Sequence, residues 1–186
     1  MNGKAFLAYT SPEGPRVTHV RSTLVSSSLE ALRRQNLYER VVALLPSELH
    51  APILQTIAPT WLPVEVVCPY YEVLEQLGLS EAEQRALGDE VNGRINGSIL
   101  STLLRAARLA GADPWIPLAQ YDRLWSRIFQ GGTIKIVQRG PKEAVIESRG
   151  LAMLRLPNWR REYGYLLRTA AGVFAKTIYV RELPTR

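Results

Sequence analysis

The chain predicts an α+β fold: an N-terminal helical part packed on a small antiparallel β-sheet, with one helix crossing that sheet. Three observations carry this. Apolar residues recur at three- and four-residue spacing through most of 22–130. Period-two alternation replaces that spacing in 133–139, 143–149 and 177–183. The two regimes meet in Asp122–Arg149, where an amphipathic helix ends at Gly131-Gly132, a strand begins at once, and Gly140-Pro141 reverses the chain into a second strand. The 186 residues read as a single domain over 1–186: an N-terminal hairpin in 1–21, a helical part in 22–130 and a small sheet with one helix in 131–186.

The hairpin would join Lys4–Tyr9 to Arg16–Val20 through Ser-Pro-Glu-Gly-Pro, a loop rich in turn-forming residues. Ser22–Gln35 places Leu24, Val25, Ser28, Leu29 and Leu32 on one helical face. Tyr38–Leu45 is a second helix halted by Pro46, and Ser47 is the expected N-cap of a third. Pro63 stands at the expected first turn of the next helix, where its missing N–H costs nothing, and Pro69 should kink or split that helix before Gly78 ends it. Ser80-x-x-Glu83 is a capping box opening the longest element, Ser80–Ala110, with Leu87, Val91, Ile95, Ile99, Leu103 and Ala107 along one ridge. Gly88, Gly93 and Gly97 inside it predict a bend or close packing. Asp113-Pro114 starts a helix with an aromatic stripe that includes Trp115, Tyr121, Trp125 and Phe129. Leu151–Pro157 connects to a helix from Asn158 or Trp159 to Lys176, and Thr177–Leu183 is the last strand.

Composition narrows the function classes. A hydrophobic fraction of 46% and a charged fraction of 22% suit a packed domain. No run approaches the roughly 18 apolar residues needed to cross a bilayer, and Met1–Pro15 lacks the apolar core of a secretory signal, so a cytoplasmic location is expected. With Cys68 alone there is no internal disulfide and no cysteine zinc cluster. His19 and His50 stand far apart in sequence, so neither a metal nor any other cofactor is expected. No GxSxG elbow, GxGxxG or GxxxxGK[ST] occurs, and no catalytic residue is assigned. Cys68, in an apolar setting before Pro69, reads as a small core hydrophobe rather than a nucleophile.

The net charge of +6 is concentrated after residue 110, where 13 basic residues face 6 acidic ones. Basic side chains there, among them Lys135, Arg139 and Lys142, could meet nucleic acid, another polyanion or an acidic partner. The opposing reading is an Arg-rich solvated surface, since 19 of the 23 cations are Arg and no dense basic run occurs. Long helices lined by small residues and facing aromatics can also leave an apolar pocket, although a packed core has the same composition.

Trp61-Leu62-Pro63-Val64-Glu65, Leu87-Gly88 with Arg94 on the long helix, and Leu124-Trp125-x-x-Ile128-Phe129-x-Gly131-Gly132 entering a strand resemble a lineage-expanded paralogous family of myxobacterial proteins. That family is in turn distantly similar to haem-nitric-oxide-binding domains and to vinyl-reductase or TRAPP-subunit-like α+β domains. The resemblance spans about residues 21–183 and implies a helical subdomain on a small sheet, used for ligand sensing or protein association. It implies no catalytic residue. The long helices offer no proximal histidine such as the haem-binding relatives need.

The expected function is therefore a non-enzymatic cytoplasmic association module, a homo-oligomer or part of a complex. Tyr70, Tyr71, Arg94, Trp115, Tyr121 and Trp125 are the candidates to line a small-ligand pocket or interface. The alternative is electrostatic binding of nucleic acid or another polyanion through Lys135, Arg139 and Lys142.

Overall fold

The computed structural model describes residues 4–11, 13–57, 59–96, 121–172 and 177–184. The chain is α+β, with helices on two small sheets. In order the elements are β1 (Lys4–Thr10), β2 (Val17–Arg21), α1 (Ser22–Arg34), α2 (Tyr38–Leu44), α3 (Ser47–Leu49) continued by a π-helical turn His50–Leu54, β3 (Trp61–Pro63), α4 (Val64–Gln76) and α5 (Glu81–Asn96). There follow α6 (Tyr121–Ile128), β4 (Phe129–Gly131), β5 (Thr133–Gly140), β6 (Glu143–Arg149), a 3-10 turn Ala152–Arg155, α7 (Pro157–Gly172) and β7 (Thr177–Glu182). The expected stretch of long helix beyond Asn96, the helix start at Asp113-Pro114 and the end of the last helix at Lys176 lie outside the described residues.

The expected N-terminal hairpin does not form. β1 takes the interior slot of a four-stranded sheet, β5-β6-β1-β7, and is parallel to both neighbours. Both edges of β1 are thereby occupied, so β2 pairs elsewhere, antiparallel to β3 and β4 in a second sheet. The larger sheet is mixed rather than antiparallel: only β5 and β6 form a hairpin. Strands β6 and β7 run the same way and need a crossover, which α7 supplies. The unit β6–α7–β7 is a split βαβ with β1 inserted between its strands. This explains the near-continuous apolar run in Lys4–Tyr9, a composition typical of interior parallel strands.

Several local expectations hold. Ser80 and Glu83 form the capping box: the Ser80 N–H donates to Glu83 Oε2 at 2.8 Å and the Glu83 N–H to Ser80 Oγ at 3.3 Å. Gly78 ends α4 at φ 63°. α1 stops in a Schellman motif built on Asn36 at φ 58°, with Leu37 N–H on Leu32 C=O at 2.8 Å and Asn36 N–H on Arg33 C=O at 3.2 Å. Asn tolerates that left-handed conformation, and Leu37 and Leu32 are both buried beside it.

Others change. Pro46, not Ser47, is the N-cap of α3, and no side chain caps it. Pro63 caps α4 from the end of β3 rather than occupying the first turn. α4 is one helix from Val64 to Gln76 despite Pro69, because Val67, Cys68, Tyr70 and Tyr71 are buried on both sides of the interruption. Among the described residues Gly93 has no neighbour within 4 Å of a built Cβ, and Gly97 lies outside the described residues. At Gly88, by contrast, a Cβ would stand 1.6 Å from Glu162 Oε2, so this glycine is where α7 lays a side chain against α5.

Candidate functional site

The aromatic candidates from the sequence divide between separate parts of the interior. Tyr70 is fully buried on α4 and its hydroxyl donates to Ser28 Oγ at 2.8 Å. Tyr71 packs edge-on against Tyr70 and Trp159. Burial holds both phenols far above their ordinary range. Trp125 is buried against Phe129 at 4.6 Å, and its indole N–H donates to Gly131 C=O at 3.1 Å. The polar atoms of Tyr70 and Trp125 are thus engaged within the fold. Arg94 falls within α5 and Tyr121 opens α6, with their side chains outside the described residues, as is the whole of Trp115.

Trp125 belongs to a joint between the two sheets. The helix α6 ends at Ile128, so Gly131-Gly132 is not its C-cap as expected. β4 lies in the three-stranded sheet and β5 in the four-stranded one, and the chain passes between them at Gly132. Gly131, Gly132 and Gly150 have φ of 76°, 62° and 76°. A Cβ would stand 2.4 Å from Arg16 O at Gly131 and 1.8 Å from Pro15 O at Gly150. The segment leading into β2 is held there by Val17 N–H on Gly150 C=O at 2.9 Å and Gly132 N–H on Arg16 C=O at 3.2 Å. These glycines serve close backbone approach, which no other residue allows at such φ.

The four-stranded sheet has two unlike faces. Leu7, Tyr9, Ala144, Ile146 and Ser148 point to the inner face and are buried under α7. There Tyr163 meets the Tyr9 ring edge-on at 5.5 Å and hydrogen-bonds the Ser148 hydroxyl. The alternate residues point outward. Phe6 and Tyr179, paired in register on β1 and β7, stack at 5.1 Å with 12° between ring planes, yet stay 49% and 45% exposed. The Lys4 ammonium lies 5.9 Å from the centre of the Tyr179 ring. Lys135 stands opposite Glu147, which also accepts a hydrogen bond from Arg149 at 3.2 Å. The outer face therefore carries exposed aromatics among charges of both signs.

Lys135, Arg139 and Lys142 are exposed, the first two on β5 and the third in the turn before β6. Arg123 and Arg127 on α6 are exposed as well.

The remaining chemistry-bearing groups are occupied or displaced from reactivity. Burial pushes the Cys68 thiol up, away from the thiolate form a nucleophile needs. His50 Nε2 bonds Leu45 C=O at 2.9 Å and His19 Nδ1 lies 3.1 Å from Thr18 Oγ1. Among the described residues no three His, Cys, Asp or Glu side chains gather as a metal site would need, and no helix is long and apolar enough to cross a membrane. One partly buried acid, Glu162, stands out. Burial pushes the Glu162 carboxyl up to about 8, the negative charge of Asp89 adds to the rise, and Arg161 offsets part of it.

Neither a family model, a curated protein nor a solved structure matches this chain.

Sequence reasoning misses the outer face because it places Phe6 in a hairpin. The run Lys4–Tyr9 holds a usable signal: six residues that are nearly all apolar suit a strand flanked on both edges. Nothing in the sequence puts Phe6 beside Tyr179.

Proposed function

We propose that this chain is a non-enzymatic cytoplasmic association module that binds protein through the outer face of its four-stranded sheet. The observation that carries the reading is the half-exposed Phe6–Tyr179 stack on the face of the sheet opposite the one packed against α7. Exposed aromatics surrounded by charges of both signs are the composition of a protein-binding patch. A photo-crosslinking residue placed at Phe6 or Val145 in the living cell should trap a protein, while the same residue at exposed Ala82 on α5 should not. Equal trapping at all three positions, or none, overturns the reading.

A second reading has its own support. Lys135, Arg139 and Lys142 are all exposed near one hairpin, and Arg123 and Arg127 are exposed on the helix before it. This set could bind nucleic acid or another polyanion. The carboxylates of Glu143 and Glu147 on the neighbouring strand work against it. Affinity for a single-stranded oligonucleotide should fall steeply between low and moderate salt and on reversal of Arg139 or Lys142. Affinity indifferent to salt removes this reading.

A further inference from the structure

Register and alternation together fix what the outer face of the four-stranded sheet displays. Val137 stands opposite Val145, Val145 opposite Ala8, and Phe6 opposite Tyr179. Ala8 and Phe6 share one face of β1, so these five residues make a single apolar stripe that crosses all four strands. None of the five is buried. Strands β6, β1 and β7 run parallel, and parallel strands ordinarily carry helices on both faces. Here α7 packs on one face and the stripe lies on the other.

Charge borders the stripe on both sides. Along one side stand Lys135 on β5 and Arg181 on β7, with Glu147 on β6 already held by Arg149 at 3.2 Å. Along the other stand Lys4 on β1 and Glu143 on β6. The exposed Lys142 adjoins Glu143, and its carbonyl accepts from the Phe6 N–H at 2.9 Å. Cations therefore outnumber acids along each border. Nucleic acid fits this surface less well. Bases stack on ring faces, whereas Phe6 and Tyr179 turn a face to each other at 5.1 Å and the Lys4 ammonium lies over Tyr179. A phosphate chain crossing the strands would also pass Glu143 and Glu147. Four strands spaced at about 4.8 Å give the stripe a length of about 14 Å, which about ten residues of helix span.

We infer that the occupant of the outer face is an amphipathic helix of a protein partner, lying across the strands with its apolar side on the stripe and acidic residues along both flanks. A helix laid by its apolar side on an apolar surface is a recurrent mode of recognition, and the bordering charges select which helix is admitted. The inference rests on the association reading above and gives the chemistry of its partner.

The test places a photo-crosslinking residue at Val145, in the middle of the stripe, and maps its attachment point on the trapped molecule by mass spectrometry. The mapped segment should carry apolar residues at three- and four-residue spacing, flanked by Asp or Glu. Made as a synthetic peptide, that segment should gain helical circular dichroism on binding the purified chain, with an affinity that falls as salt is added. Lys4→Glu combined with Arg181→Glu should weaken it about tenfold or more and keep the wild-type far-ultraviolet spectrum, since both side chains are exposed. Arg168→Glu, exposed on α7, should leave the affinity unchanged. A trapped protein segment that lacks acidic flanks, or stays unhelical when bound, overturns the inference and leaves the association reading standing. Affinity indifferent to both salt and the double reversal does the same. Cross-linked material removed by nuclease overturns the inference in favour of the polyanion reading. No trapping at Val145, or equal trapping at Ala82, overturns both the inference and the association reading.

Discussion

The joint between the sheets and the outer face of the larger sheet are built from similar residue types, glycines aside, and treat them in opposite ways. At the joint Val17, Trp125 and Phe129 are buried, and backbone meets backbone at three glycines of positive φ. On the outer face Phe6 and Tyr179 are equally aromatic and remain half exposed. Burial of an aromatic ring is worth most where every neighbour is fixed, so the rings of the joint hold the fold more firmly than the half-exposed rings of the outer face. An aromatic residue in a strand thus says little about function until its face is known.

The contrast can be broken most severely at the joint. Gly150→Ala would drive a methyl into Pro15 C=O and strain φ, and should cost about 4 kcal/mol or abolish folding, as read by urea denaturation. The partly buried acid against α5 comes next. Because the folded-state pKa of Glu162 is raised to about 8, the folded chain binds a proton that the unfolded chain releases near pH 4–5. Stability linked to this group is therefore full below that range, declines as pH rises, and is lost above about 8. Glu162→Gln should raise the melting temperature relative to wild type at pH 9, by an effect on the order of a few kcal/mol, and should lose that advantage at pH 4. An advantage independent of pH would show that the carboxyl is not the cause.

Trp125→Phe removes the indole bond to Gly131 and leaves a gap against Phe129, and should cost about 2 kcal/mol by the same denaturation assay. The smallest effect belongs to the open face. Tyr179→Ser removes the stack on Phe6 and should cost only about 1 kcal/mol by the same denaturation assay. A large loss of stability there would mean that the ring supports the fold and the two regions are alike.

Local order is legible in the sequence. The Ser80–Glu83 box, the inner stripe of α1, the stop at Gly78 and the hairpin of β5 and β6 each depend on residues close along the chain, whose side chains and backbone can satisfy each other directly. Cys68 and the aromatics Tyr70, Tyr71 and Trp125 are recognisable as apolar, but whether they line a pocket or fill a core depends on neighbours from other elements. Period alone likewise cannot choose between a hairpin and an interior parallel strand for Lys4–Tyr9, since the alternation is shared and the partners lie more than a hundred residues away.

By itself, then, the sequence determined the α+β class, most helix limits and the glycine positions, because these follow from period, capping and the steric freedom of single residues. Only the tertiary structure decided that β1 sits between β6 and β7, that Gly132 passes the chain from one sheet to the other, and that Phe6 stacks on Tyr179 in the open. Strand order and the exposure of a face are set by which distant segments compete for the same hydrogen-bonding edge, a contest that no local pattern records.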